Sequence, residues 1–280
     1  MVSIIMSAYN AENTISKAID SCLNQTYKDI EIIVINDCST DNTRQVVENL
    51  SSIDSRIRII NRDFNGGAGL AKQTGIKEIK GEYMMFLDSD DYLKLDYIET
   101  LFNALIEYDA DIVTSGYIEV DTNGNIIKEK IPATVIQEGK NKYNPNKEHT
   151  KWYMNSMLIK SKLWNNVEYS SRILINDIPS LVKILYYANR VLTLEYAGYF
   201  YVQNPYSIQH TASNIKFTIF SLLSFKDMLE FFNSKGENLP YREFITQYCM
   251  LLNMDIDEEE YLLYKKELDE LYNFYSLHCC

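Results

Sequence analysis

The sequence predicts an α/β protein with a mainly parallel sheet flanked by helices, and three observations carry that prediction. Apolar runs alternate with stretches of helical periodicity through the N-terminal part of the chain. Each run ends in a polar loop rich in Ser, Asn, Asp or Gly. The last of these runs, Tyr83-Met84-Met85-Phe86-Leu87, delivers a carboxylate cluster, Asp88-Ser89-Asp90-Asp91, to its end.

The elements follow in order. Val2-Ser3-Ile4-Ile5-Met6 reads as a strand, Ser7-Ala8-Tyr9-Asn10 as a loop, and Ile15, Ala18, Ile19, Cys22 and Leu23 as the apolar face of a helix. Ile30 to Ile35 repeats the strand, Asn36-Asp37 the loop, and Ser39-Thr40-Asp41-Asn42 a polar helix start. A third strand, Ile57 to Ile60, leads through Asn65-Gly66-Gly67 into a helix from Leu70 to Ile79. Strands that alternate with helices pair in parallel, and their ligands gather outside the carboxyl ends. Ser7 to Asn10, Asp37, Asn65 to Gly67 and Asp88 to Asp91 therefore share one rim.

Carboxylates at the end of a buried strand need a reason. In extended backbone Asp88 and Asp90 project to one face and Asp91 to the other, and two acids on one face repel unless a cation joins them. Oxygen ligands suit Mg2+ or Mn2+, and such an ion neutralises a diphosphate, so a nucleotide-sugar is the natural ligand. The plainer reading is a helix cap, since a helical stretch follows from about Asp96.

Four segments together resemble the family 2 glycosyltransferases: Val2 to Asn13, Ile32 to Thr43, Asn65 to Gly75 and Gly81 to Asp91. The likeness is close over about the first 120 residues and continues more weakly to about His210. It implies the GT-A fold, a Rossmann-like sheet with a C-terminal helical appendage, and metal-dependent, inverting sugar transfer from a nucleoside diphosphate donor, usually a UDP-sugar. The implied organisation is a catalytic domain over 1–212, with 1–120 binding the donor and 121–212 on the acceptor side, followed by a helical region over 213–280.

The resemblance also implies roles. Asp37 receives the nucleobase edge and Ala8-Tyr9 lie against the base. Asp88 contacts the ribose, Asp90 ligates Mn2+ or Mg2+, and Ser89 and Asp91 help to form the donor site. Lys72 stands where the family commonly has Arg, keeping the charge without the planar fork. Gln73 replaces Asn, Ser7 replaces Pro, and Val202 replaces an Arg of the late aromatic segment Tyr199 to Ser207. Asp177 is the general base, although its preceding partner is Asn176 rather than an acid. Read as structure alone, Asp177 is a helix cap before Pro179, and both readings can hold together. His210 is a candidate metal ligand or diphosphate contact.

Elsewhere Val120 to Ile126 reads as a hairpin around Asn123-Gly124. Glu129 to Thr150 reads as a polar loop over the acceptor side, and Trp152 to Asn155 as the start of a helix. After Ser213 two apolar stripes appear, one from Phe217 to Phe232 and one from Tyr261 to Tyr275. They suit packing onto the catalytic domain, a homo-oligomer contact or a membrane-facing surface.

At 280 residues and 46% hydrophobic content the chain can bury a sizeable core. A net charge of -12 argues against a nucleic-acid surface. No run of eighteen apolar residues appears, and the N-terminal strand lacks the features of a signal peptide. The expected location is cytoplasmic, with peripheral contact at the inner face of the membrane. Five scattered cysteines suggest reduced thiols. The leading expectation is a glycosyltransferase acting on a hydroxyl of a glycan, glycolipid or glycoprotein. A non-catalytic GT-A module binding a sugar or a partner protein is the alternative. A dehydrogenase or nucleotidyltransferase fits poorly, because Gly66-Gly67-Ala68-Gly69 is not a dinucleotide fingerprint and no GxxxxGK[ST] loop exists.

Overall fold

The computed structural model describes residues 1–139, 154–171, 177–203, 213–237, 242–254, 256 and 258–278. The chain divides into two units, Met1–Ser171 with Ile184–Asn204, and Arg172–Lys183 with Pro205–Cys280.

The first unit is organised by one sheet. Its strands, among the described residues, are β1 (Val2–Ala8), β2 (Ile30–Asn36), β3 (Ile57–Asn61), β4 (Tyr83–Phe86), β5 (Tyr92–Leu93), β6 (Ile112–Val120), β7 (Ile126–Lys130), β8 (Val135–Glu138), β9 (Met157–Lys160) and β10 (Arg190–Val202). They run in the order β3-β2-β1-β4-β9-β6-β10-β5, with β7 added to β6 and β8 to β10. β1 pairs in parallel with β2 and β4, β2 with β3, and β6 with β10. β9 lies antiparallel to both β4 and β6, so those two strands point the same way. The carboxyl ends of β1, β2, β3, β4, β6 and β10 consequently share one rim, as the alternating pattern predicts.

Burial explains the continuous apolar runs. β1 and β2 are central and covered on both faces, which is where unbroken Ile and Val sequences belong. On one face Ile4 and Met6 join a core with Ile15, Ala18, Ile19 and Cys22 of α1 (Ile15–Leu23). Burying each of the Ile and Met side chains contributes roughly 2 kcal/mol. α2 (Thr43–Ile53) and α4 (Tyr97–Glu107) follow β2 and β5. α3 (Gly67–Ile76) begins three residues before the expected Leu70. It lies so close to β1 that a Cβ on Gly75 would sit 2.4 Å from Ile5 Cγ2, so only glycine fits there.

Two expectations are corrected. Residues Met154–Ser156 form a single 3-10 turn rather than a helix, and Met157-Leu158-Ile159 continue as β9. This apolar run is buried between β4 and β6, where only extended backbone can satisfy both neighbours. The polar stretch after Glu129 is not wholly loop, since β7 extends to Lys130 and Val135 to Glu138 pair with Arg190 to Thr193 of β10. Residues 140–153, with the remainder of that expected loop and Trp152, lie outside the described residues. The hairpin at Val120 is present, with Gly124 at φ +87° in its turn.

α5 (Asp177–Tyr187) begins in the second unit. That unit also holds α6 (Asn214–Ser234), α7 (Arg242–Leu252), α8 (Glu258–Leu263) and α9 (Lys265–His278). Ser213 caps α6 by accepting a hydrogen bond from the Lys216 N–H. Ile219, Phe220, Leu222, Leu223 and Leu229 pack with Tyr248, Leu251, Leu271 and Phe274 in a core of their own. The expected stripes are thus partly right: Phe220, Leu229 and Leu271 face inward, but Phe217, Tyr261, Leu262 and Tyr272 are exposed. Among the described residues no helix is long and apolar enough to cross a membrane, and Cys22, Cys38 and Cys249 are free thiols.

Candidate active site

The rim is assembled by loops that tie one strand end to the next. At the end of β1 Ala8 is buried, and Tyr9 just beyond it is 49% exposed. Asn10 takes φ +50°, a turn conformation that Asn tolerates, and its side-chain oxygen accepts the Thr40 N–H from the loop after β2 at 2.9 Å. Asp37 follows β2 and is buried. Its Oδ1 pairs with Arg62 Nη1 and accepts the Gly66 N–H at 3.2 Å, while Oδ2 accepts the Gly67 N–H at 2.7 Å. Asp37 thereby anchors the start of α3, with Gly67 at φ +82°. An ionised carboxylate offers about four acceptor positions, so one remains for a ligand donor.

The acid cluster departs from simple strand alternation. β4 ends at Phe86, and the Asp91 N–H donates to the Asp88 carbonyl at 3.1 Å, closing a turn over Asp88, Ser89, Asp90 and Asp91. Nor does the cluster cap a helix, because β5 intervenes before α4. Asp91 is 1% exposed and engaged through both oxygens: Oδ2 accepts from the Tyr199 hydroxyl at 2.5 Å and Oδ1 from the Val202 N–H at 2.8 Å. It pins the turn to β10. Asp88, Ser89 and Asp90 remain half-buried on the accessible side.

Charge is concentrated here. Burial, then the neighbouring Asp88 carboxylate, push the Asp90 carboxyl up to about 6, against smaller opposing effects of its own backbone N–H and Lys72. Burial and the charges of Asp88 and Asp90 raise Asp91 well above the usual carboxylate range. Burial and the same three acids push the Tyr201 phenol up to about 12, keeping it a neutral hydroxyl. The cation that faces them is Lys72, buried on α3, with Nζ 3.4 Å from Asp88 Oδ1, 3.2 Å from Asn155 Oδ1 and 5.4 Å from the centre of the Phe86 ring.

A raised Asp binds its proton more tightly when folded than when unfolded. Its contribution to stability is therefore complete below the unfolded value near 3.9 and is lost as the pH rises through about 6. Asp90→Asn is expected to stabilise the metal-free protein by on the order of 2 kcal/mol at pH 7.5 and by almost nothing at pH 4. Urea unfolding in EDTA at the two pH values checks this. Equal effects at both would show that the Asp90 charge carries no penalty.

Sequence reasoning singled out Ala8, Tyr9, Asp37, Lys72 and Asp88 to Asp91, and the structure brings these to one rim. Asp177 lies in the first turn of α5, inside the helix rather than at its cap. Asn176 and His210 lie outside the described residues. Three contributors were not foreseen in these roles: Arg62, Asn155 and the Tyr199 hydroxyl. Arg62 directly follows a strand, which is a signal of sorts; Asn155 gave none. A separate polar cavity of about 430 Å³, lined by Asp109, Asp111, Lys160 and Arg190 among others, sits at the amino ends of β6 and β10. Its charges pair internally, Lys160 with Asp111 at 3.1 Å and Arg190 with Glu138 at 2.6 Å.

The family described as glycosyl transferase family 2 matches residues 3–166. Glycosyltransferase GlyG of Streptococcus pneumoniae serotype 4 is 30% identical over 271 residues, covering 91% of this chain and 83% of that protein. UDP-Glc:alpha-D-GlcNAc-diphosphoundecaprenol beta-1,3-glucosyltransferase WfgD of Escherichia coli is 39% identical over 127 residues, 45% of this chain and 49% of its own length. Among solved structures, S. aureus TarS 1-349 in complex with UDP-GlcNAc aligns with a TM-score of 0.69 and 20% identity, covering 98% of this chain and 81% of that one. Mannosyltransferase PcManGT from Pyrobaculum calidifontis, in complex with GDP-Man and Mn2+, aligns at 0.59 and 13% identity over 99% and 74%. Those two likenesses speak for the fold. Fold and sequence likeness together define a glycosyltransferase. The chain belongs to glycosyl transferase family 2.

Proposed function

We propose that this enzyme transfers a sugar, with inversion and with the help of a divalent metal, from a UDP-sugar to a hydroxyl of a glycan, glycolipid or glycoprotein. The observation that carries the reading is the half-buried Asp90, whose carboxyl is pushed up to about 6 beside Asp88. Such crowding of acids favours a cation. Among the described residues no group of three or more His, Cys, Asp or Glu stands ready to cage a metal. Mg2+ and Mn2+ can be held by one or two carboxylates and complete their shell with phosphate oxygens and water. Asp90, with Asp88 at its side, would hold the ion. When bound, the metal supplies positive charge where the leaving diphosphate accumulates negative charge.

The other roles belong to the chain's own side chains. Asp37 has one acceptor position left for a base N–H, and exposed Tyr9 offers a ring face beside it. Lys72 adds a fixed positive charge under the diphosphate position. Asp177 takes the acceptor's proton as its oxygen attacks the anomeric carbon from the face opposite the nucleotide, so no enzyme-linked intermediate is needed. The working location we assign is the cytoplasm, with peripheral contact at the membrane.

Calorimetry with UDP tests the donor and metal assignments together. UDP is expected to bind the wild type in Mn2+ and to weaken at least about tenfold in EDTA or on Asp90→Ala. Tight binding indifferent to both would remove the metal from the site.

A further inference from the structure

Asn155 is 1% exposed, yet its amide is engaged by charge on both sides. Nδ2 donates to Asp88 Oδ2 at 2.5 Å, and Oδ1 accepts from Lys72 Nζ at 3.2 Å. Lys72 Nζ is also 3.4 Å from Asp88 Oδ1, so three side chains close a triangle. An ionised carboxylate can only accept and an ammonium can only donate, which dictates the orientation of the amide between them. Neither an acid nor an apolar side chain at this position could satisfy both partners.

The triangle changes what its charges can do. A direct ammonium-carboxylate contact closes to roughly 2.7–2.9 Å, whereas Lys72 and Asp88 stay 3.4 Å apart while Asn155 bonds to each. The residue next to it is tied to β6: Ser156 Oγ donates to the Ser115 carbonyl at 3.1 Å and meets Thr114 Oγ1 at 3.4 Å, and Ser115 Oγ is bonded to the Tyr97 hydroxyl at 2.9 Å. An element remote from the acid turn thus sets where Asp88 and Lys72 stand. We propose that Asn155 is a positioning residue of the donor site, fixing the Asp88 carboxylate and the Lys72 ammonium in the spacing that a nucleoside diphosphate requires. This rests on the assignment of Asp88 and Lys72 to the donor in the preceding subsection.

The test is UDP affinity in Mn2+, measured by calorimetry beside thermal melting, for the wild type, Asn155→Asp, Asn155→Ala and the exchanged pair Asp88→Asn/Asn155→Asp. Asn155→Asp cannot donate to Asp88, and UDP should bind about tenfold or more weakly. Asn155→Ala removes the donor without adding charge and carries the same readout if the acidic variant does not fold. The exchanged pair restores the hydrogen bond with its polarity reversed, so melting should return toward wild type while UDP affinity stays low. Wild-type affinity in a folded single variant, or in the exchanged pair, overturns the proposal. Failure of both single variants to fold overturns it in favour of a purely structural Asn155. If the wild type itself does not bind UDP, the donor assignment fails and the proposal falls with it; if only the variants bind unchanged, the donor assignment survives.

Discussion

Asp177→Asn should lower turnover by about a hundredfold or more while leaving UDP affinity close to wild type. An acceptor hydroxyl is a weak nucleophile near neutral pH, so its proton must leave as the new bond forms. Asn matches Asp in size but cannot take a proton. Asp177 stands within the first turn of α5, so replacing it removes, among its interactions, a carboxylate near the positive end of the helix. That loss is about 0.3–1 kcal/mol and should be similar for Asp177→Ala, in place of the separate capping loss that the sequence suggests. Steady-state kinetics with melting curves separate the effects. Transfer by Asp177→Asn at a near wild-type rate would move the base elsewhere.

The largest stability effect is expected at Asp37. From the sequence Asp37→Ala removes only a ligand contact and leaves the fold alone. In the structure the carboxylate neutralises Arg62, whose side chain is 10% exposed, and accepts two N–H groups at the start of α3. Removing it leaves a partly buried guanidinium uncompensated, at a cost of about 3 kcal/mol, the low end for a buried pair. The Phe64 ring, 4.8 Å from the guanidinium, offsets only a part of this. Asp37→Asn keeps the shape and should fold better, with UDP binding weaker by about 1–3 kcal/mol. Denaturant unfolding of both variants, with calorimetry on Asp37→Asn, checks this. Unchanged UDP affinity in Asp37→Asn would leave Asp37 with the structural role alone.

What was legible in the sequence had short-range causes. β1, β2 and α1 are written in local periodicity, and the acid cluster follows directly from the strand that carries it. The motif segments placed Asp37, Lys72 and Asp88 to Asp91 on one rim without any knowledge of the sheet order. What was hidden depends on partners far along the chain. Asn155 gains its meaning only when β9 enters between β4 and β6, and the polar, aromatic-rich sequence before Met157 resembles a helix start as much as a turn. The Tyr199 hydroxyl reaches Asp91 across more than a hundred positions. Asp91 reads as one more ligand in a row of acids, and only tertiary contacts reveal it as a fastener. Arg62 is similar, an ordinary residue after a strand until Asp37 is folded against it.

The place of β9 also bears on how the chain is made. β1 to β4 are laid down in sequence, β2, β3 and β4 each beside a partner already synthesised, so the donor half can assemble early. The outer edge of β4 is different, because Tyr83 waits for Lys160. At about 5–20 residues per second the ribosome needs roughly 4–15 s to supply it. During that interval the nascent protein presents an open, apolar edge strand, the feature that mature sheets conceal to avoid edge-to-edge association. The strand that brings Asn155 to the site is thus also the one that covers the open edge of β4.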